Sequence, residues 1–162
     1  MLAIDGPSGA GKSTLAAEVV AGLTARGCRP ALVSTDAFAT WDDPVAWWPE
    51  LLDGVLRPLA GGVAGAYRRM DWSTGTPRPG ELVRVPVPDV LVLEGVSSGR
   101  ASARPLLSHL CWLSGGSEAE RLARAVERDG AAARADLARW QRFERGWFAV
   151  DGTAEAAGTR LS

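Results

Sequence analysis

The sequence predicts a three-layer α/β domain around a parallel sheet, and three observations carry that prediction. Apolar runs of strand length recur along the chain, at Met1 to Asp5, Pro30 to Ser34, Pro88 to Gly95 and His109 to Leu113. Segments with apolar residues at helical spacing lie between them, the alternation that joins parallel strands through crossover helices. The length of 162 residues suits one such domain and is too small for a second independent unit.

The first run, Met1-Leu2-Ala3-Ile4-Asp5, reads as a buried strand, and Gly6-Pro7-Ser8-Gly9-Ala10-Gly11-Lys12-Ser13-Thr14 follows it directly. Leu15, Val19 and Leu23 then recur at helical spacing to about Arg26, with Gly27 as a suitable cap. Strand, loop and helix in this order satisfy G-x-x-x-x-G-K-[ST], a phosphate-binding loop. Gly9 and Gly11 can take backbone angles closed to other residues, so that successive N–H groups converge on a β-phosphate beside the positive end of the helix. Gly6, Ser8, Gly9, Ala10, Gly11, Lys12, Ser13 and Thr14 are therefore the expected nucleotide contacts. Lys12 is the only lysine of the chain, and every other fixed positive charge is arginine. A slim stem ending in an ammonium threads a ring of amides where a planar fork cannot. Ser13 is placed to ligate Mg²⁺ through its hydroxyl.

The second strand, Pro30 to Ser34, ends in Ser34-Thr35-Asp36-Ala37-Phe38, which puts Asp36 at the carboxyl edge of the sheet, where ligands gather. Trp41 to Gly62 reads as helical, with Leu52, Val55, Leu56 and Leu59 on one side and Pro49 and Pro58 as start, kink or end. Residues Ala66 to Trp72 alternate, with Tyr67, Arg69 and Asp71 on one face and Arg68, Met70 and Trp72 on the other; Leu82 to Val85 is expected to pair with them as a hairpin. Pro88 to Gly95 reads as a central strand with an acidic tip at Glu94. After the strand His109 to Leu113, Ser117-Glu118-Ala119-Glu120 has capping-box spacing, and the helix it opens carries Arg121, Arg124 and Arg128 as one cationic stripe before Asp129-Gly130. A last helix is expected to turn Leu137, Trp140 and Trp147 inward, and Thr159 to Ser162 to add a short edge strand.

Phosphoryl transfer needs charge neutralised on the moving group and the acceptor held in line. Lys12 and the loop amides would hold the phosphates of ATP; Ser13 with Glu94 or Asp36 would hold Mg²⁺. Asp36 is also the candidate base for an acceptor hydroxyl, beside its plainer reading as a helix cap or outer metal ligand. Arg124 and Arg128, with Arg121, could close over the nucleotide, or could form a solvated face paired with Glu118, Glu120 and Glu127. Tyr67, Arg68, Asp71 and Trp72 combine stacking surface with hydrogen-bonding groups, an acceptor-pocket composition that would equally suit core and surface roles. The seven tryptophans read mostly as packing and His109 as structural.

A formal charge of -1 with dispersed arginines gives no case for nucleic-acid or membrane-surface binding. A strand starting at Met1 leaves no room for a signal peptide, and Cys28 and Cys111 lack metal spacing, so a reducing cytoplasm is expected, with both thiols free. The sequence leaves monomer and homodimer both open.

Taken together, Gly6 to Ser13, Thr35-Asp36-Ala37-Phe38, Tyr67-Arg68-Arg69-Met70-Asp71-Trp72 and Glu94-Gly95 resemble the uridine kinase-like branch of P-loop kinases, especially its small members of actinobacterial type. The resemblance covers nearly the whole chain, with Arg128-Asp129 similar to the segment before the family's lid and Asp151-Gly152-Thr153 to its late turn. It implies the P-loop NTPase fold, a five-stranded parallel sheet ordered 2-3-1-4-5, ATP with Mg²⁺, Asp36 as base and a pyrimidine nucleoside as acceptor. Ala39 stands where a tyrosine often follows the family's Asp-x-Phe. Arg68 and Arg69 argue instead for a phosphate-bearing acceptor such as a nucleoside monophosphate, since an arginine fork suits a phosphate. Another small metabolite or an antibiotic is a further alternative acceptor. From other classes, a GTPase switch would need an Asn/Thr-Lys-x-Asp element and hence a second lysine, and a nucleotide-binding regulatory ATPase would need no acceptor.

Overall fold

The computed structural model describes residues 1–162. Five parallel strands, β1 (Leu2–Asp5), β2 (Pro30–Ser34), β5 (Val90–Glu94), β6 (His109–Leu113) and β7 (Thr159–Leu161), form one sheet in the order β2-β5-β1-β6-β7. β3 (Gly65–Asp71) and β4 (Arg78–Val85) pair antiparallel as a separate hairpin. Counting the sheet strands alone, this is the expected 2-3-1-4-5 arrangement.

Alternation along the central strands builds the layers, because successive side chains leave a strand on opposite faces. Val92 packs with Ile4, Ala16 and Cys111 beneath α1 (Lys12–Ala25). Its neighbours Leu91 and Leu93 pack on the other face with Val33, Phe38, Trp47, Leu51, Val55 and Tyr67. Parallel pairing also brings the carboxyl ends of β1, β2 and β5 to one edge, with Ser34 opposite Glu94 and Ile4 opposite Glu94 on the other side. The functional edge of the molecule is thus a product of topology.

Helix ends follow their local chemistry. α1 closes in a left-handed Gly27, and the Cys28 N–H donates to Leu23 O at 3.1 Å, the bond that satisfies an orphan carbonyl at a helix end. α4 (Glu118–Asp129) opens with the capping box that the sequence announces: the Glu120 N–H donates to Ser117 Oγ at 3.3 Å, and the Ser117 N–H to Glu120 Oε2 at 2.8 Å.

Two expectations are corrected. The stretch expected to be helical from Trp41 begins only at Trp48: α2 (Trp48–Leu51), a widened π turn over Leu52–Leu56 and α3 (Arg57–Ala60). Pro58 has no N–H to return to the carbonyl one turn back, which accounts for a widened turn just before it. The buried positions of α5 (Arg134–Asp151) are Leu137, Gln141 and Glu144, so Trp140 and Trp147 flank the inner stripe and do not form it. A short α6 (Thr153–Ala156), not read from the sequence, precedes β7. Both cysteines are free thiols. No helix is long and apolar enough to cross a membrane.

Candidate active site

Asp5, at the tip of β1, is sealed from solvent and accepts N–H bonds from Gly6 at 2.7 Å, Ser97 at 3.0 Å and Gly99 at 2.7 Å. It therefore pins the start of the glycine-rich loop to the segment after β5. Ser97 is the one non-glycine residue with positive φ, at 65°, the kind of backbone that surrounding bonds must hold in place. From α5, buried Glu144 accepts the Ser8 N–H at 2.9 Å and the Ser8 hydroxyl. From α4, Arg124 Nε donates to Gly9 O at 2.9 Å while its terminal nitrogen reaches Gly115 O. Arg121 donates to Ser114 O at 3.2 Å and to Gly116 O. Since a peptide unit is planar, fixing a carbonyl also fixes the N–H on the same unit. Arg121 and Arg124 thus clasp the loop and the turn beside it. They neither arch over the cleft nor pair with Glu120 or Glu127, and Glu118 is taken by Arg145 at 2.7 Å.

Lys12 lies inside this frame, 7% exposed, with Nζ donating to Pro7 O at 2.9 Å. No carboxylate comes within ion-pair distance of it. Asp5, Glu94 and Glu144 are near enough for their charges to act on it, yet none pairs with it directly, which leaves the ammonium free to take an anion brought to the loop. Next to it, Ser13 Oγ donates to Glu94 Oε2 at 3.3 Å. Burial pushes the Glu94 carboxyl up, bonds from Ser34 and Ser13 oppose this, and the charge of Asp36 adds to it. A hydroxyl beside a carboxylate, with another carboxylate near, is a hard-oxygen donor set of the kind Mg²⁺ takes. No cluster of three or more His, Cys, Asp or Glu side chains surrounds the spot. Mg²⁺ fits that as well, because it keeps several waters and completes its shell with phosphate oxygens.

Beyond this lies a cavity of about 680 Å³. Ser8, Ser34, Asp36, Arg128 and Asp129 form its polar wall, and Tyr67, Met70, Trp41, Trp72 and Trp140 much of its apolar one. Trp41 meets Trp72 edge-on at 4.9 Å and Trp140 at 5.3 Å, while Tyr67 lies 4.7 Å from Phe38. Asp36, exposed in the turn after β2, donates its N–H to Ser34 Oγ at 3.3 Å. Arg128 is forked onto Asp129 with both bonds at 2.6 Å, and its pKa is raised first by that bond and further by Asp36 and Glu94.

The hairpin contributes a different set from the one expected. Tyr67 and Trp72 line the cavity, but Arg68 donates to Gly80 O at 3.1 Å and Asp71 accepts the Ser73 N–H at 2.9 Å, and neither is part of the wall. Arg69 and Met70 take their places. Arg69 shares the Tyr67 face by plain alternation, whereas Met70 and Trp72 join them against it, beside a bulge where Arg68 pairs with Leu82 and Met70 with Pro79 and Gly80 and Glu81 together oppose Arg69.

Asp5, Glu144, Trp41 and Trp140 were not among the sequence candidates for the site, and Arg69 was weighed only together with Arg68, as a fork suited to a phosphate-bearing acceptor. A carboxylate closing an apolar run was a signal for Asp5, and a charge on the apolar stripe of α5 was one for Glu144. Alternation with Tyr67 was a local signal for Arg69 over Arg68. Of the tryptophans read as packing, Trp47, Trp48 and Trp147 do serve structure, surrounding the Arg100 guanidinium at 5.0 to 5.9 Å.

Burial raises the carboxyl pKa of Asp5 to about 7 and that of Glu94 and Glu144 in the same direction. A carboxyl whose pKa is higher folded than unfolded contributes stability that is complete below the unfolded pKa and lost as pH rises through the folded one. For Asp5 this window runs from 3.8 to about 7, an effect of at most about 4 kcal/mol. Without nucleotide or magnesium, urea titration should give a larger unfolding free energy at pH 5 than at pH 8. Equal stability at the two values would contradict the prediction.

No family model and no curated protein matches the chain. Solved structures do. A possible uridine kinase from Bacillus stearothermophilus superposes with a TM-score of 0.70 at 18% identity, over 99% of this chain and 87% of the other. A putative fructose transport system kinase from Silicibacter sp. gives 0.61 at 22% identity, over 99% and 85%. At such identities the likeness is one of architecture, and it agrees with the sheet order and the loop: the chain has the fold of the P-loop kinases.

Proposed function

We propose that this chain is an ATP-dependent small-molecule kinase that moves the γ-phosphate to a hydroxyl of its acceptor. A pyrimidine nucleoside, uridine or cytidine, is the leading acceptor class; a nucleoside monophosphate, another small metabolite or an antibiotic comes behind it. The observation that carries the reading is the buried Lys12 ammonium, bonded to Pro7 O and to no carboxylate, beside the Ser13–Glu94 pair and near a large half-apolar cavity walled in part by Ser34 and Asp36. Lys12 and the loop amides would grip the β- and γ-phosphates, and Ser13 with Glu94 would hold Mg²⁺. The ion would neutralise charge on the phosphate oxygens. Asp36, reaching the same cavity from β2, would accept the hydroxyl proton as the acceptor attacks. Arg124, Asp5 and Glu144 would keep the loop in shape by their bonds to its backbone and to Ser8, and Arg121 and Arg124 would hold the turn beside it at Ser114–Gly116.

The test is ADP release from Mg·ATP with and without a panel of nucleosides, nucleoside monophosphates and sugars. Acceptor-dependent release is the predicted result; hydrolysis indifferent to acceptor would mark a regulatory ATPase. In the same assay Asp36→Asn should lower kcat by about 10²- to 10⁴-fold, the usual contribution of a positioned base, with the KM for ATP little changed. If the variant keeps most of its turnover, Asp36 is not the base.

A further inference from the structure

We infer that the acceptor is not the neutral nucleoside placed first above but one that carries a negative charge of its own, received by Arg69, on a body flat or apolar enough to lie against Trp41, Trp72 and Trp140. The inference rests on the kinase reading for what is transferred, and on the cavity alone for what is bound.

Arg69 shares the Tyr67 face of β3 by plain alternation and lines the cavity with Tyr67, Met70 and Trp72; a bulge at Gly80 and Glu81 of β4 lies opposite it. The other arginines near it are committed. Arg128 is forked onto Asp129, and Arg68 donates to Gly80 O. Arg69 has neither an ion pair nor a side-chain hydrogen bond, although it is one of the two cationic groups in a cavity that also holds Asp36 and Asp129. A guanidinium presents paired donors in a plane, which matches the two oxygens of a carboxylate or the edge of a phosphate. Asp36 repels the same groups. An acceptor with a hydroxyl at one end and an anion at the other is therefore oriented by both: the anion goes to Arg69 and the hydroxyl to Asp36. The three indole rings supply the apolar contact between them.

Orientation also fixes the bond that forms. The bond between the β,γ-bridging oxygen and the γ-phosphorus breaks, the acceptor's hydroxyl oxygen bonds to that phosphorus, and its proton goes to Asp36. An acceptor that already bears a phosphate leaves with a second, separate phosphate ester. It does not leave with a diphosphate.

The experiment uses matched pairs: uridine against uridine 5′-monophosphate, cytidine against cytidine 5′-monophosphate, and benzyl alcohol against 4-(hydroxymethyl)benzoate. Each is titrated calorimetrically into the full chain with Mg·ADP present, then tested for ADP release with Mg·ATP. The anionic member of at least one pair should bind 10-fold or more tighter than its neutral partner; which pair does so tells phosphate from carboxylate. Arg69→Leu should erase that preference without changing the neutral partner's affinity or the melting temperature, and Arg69→Lys should restore part of it. The inference is overturned if the neutral members bind as well as the anionic ones, if neither binds, if Arg69→Leu keeps the preference, or if phosphorus NMR shows a nucleoside diphosphate as product. A binding preference that survives with no ADP release from any acceptor would overturn the kinase reading and leave the role of Arg69 standing.

Discussion

Replacing Lys12 with alanine is expected to lower kcat/KM for Mg·ATP by about 10³-fold while the fold survives. Donors aimed at developing charge in a water-poor site are each worth two to three orders of magnitude, and Lys12 brings a full positive charge to a buried position. The fold should survive because Nζ makes a single bond, to Pro7 O, and no ion pair is broken. Steady-state kinetics together with a melting curve check both halves. Activity within 10-fold of wild type would mean that the loop does not grip the nucleotide through this residue.

Gly9→Ala should damage stability and activity together, with a loss of about 3 kcal/mol in unfolding free energy. Gly9 has φ of +75°, where an alanine costs about 1–2 kcal/mol. The added Cβ would also stand 2.4 Å from Arg121 O, a backbone atom that cannot swing aside. Overpacking of this kind typically adds about 1–3 kcal/mol. If α4 yields, the Arg124 bond to Gly9 O is lost and with it the set of the loop's peptide planes. Urea unfolding reads the first effect and nucleotide titration the second. A variant as stable as wild type would show that α4 is not packed on the loop as described.

The parts of this molecule legible in the sequence are those set by short-range rules. β1, the loop and α1 follow from a run of local chemistry in which each residue constrains the next, and the capping box at Ser117 is a four-residue pattern. The sheet order came from a resemblance whose motifs span the chain. What could not be read depends on contacts distant in sequence. That Met70 and Trp72 share a wall with Tyr67 and Arg69, against strict alternation, shows only once β4 is paired, since the register shift lies between Arg68 and Met70 across from Gly80 and Glu81. The roles of Arg121 and Arg124 depend on carbonyls at Gly9 and in the Ser114–Gly116 turn. A stripe of arginines on a helix reads the same whether it faces phosphate, solvent or a loop. Glu144 sits 136 residues from the serine it holds, so its burial only makes sense once the loop and α5 are side by side.

The central claim is that residues 6 to 14 form a cradle for the phosphates of a magnesium nucleotide. Calorimetric titration of Mg·ATP into the wild-type chain and into Lys12→Ala tests it most directly. One nucleotide bound per wild-type chain, with affinity falling at least 100-fold in the variant, is the predicted outcome. No uptake by the wild type, or equal uptake by both, would contradict it.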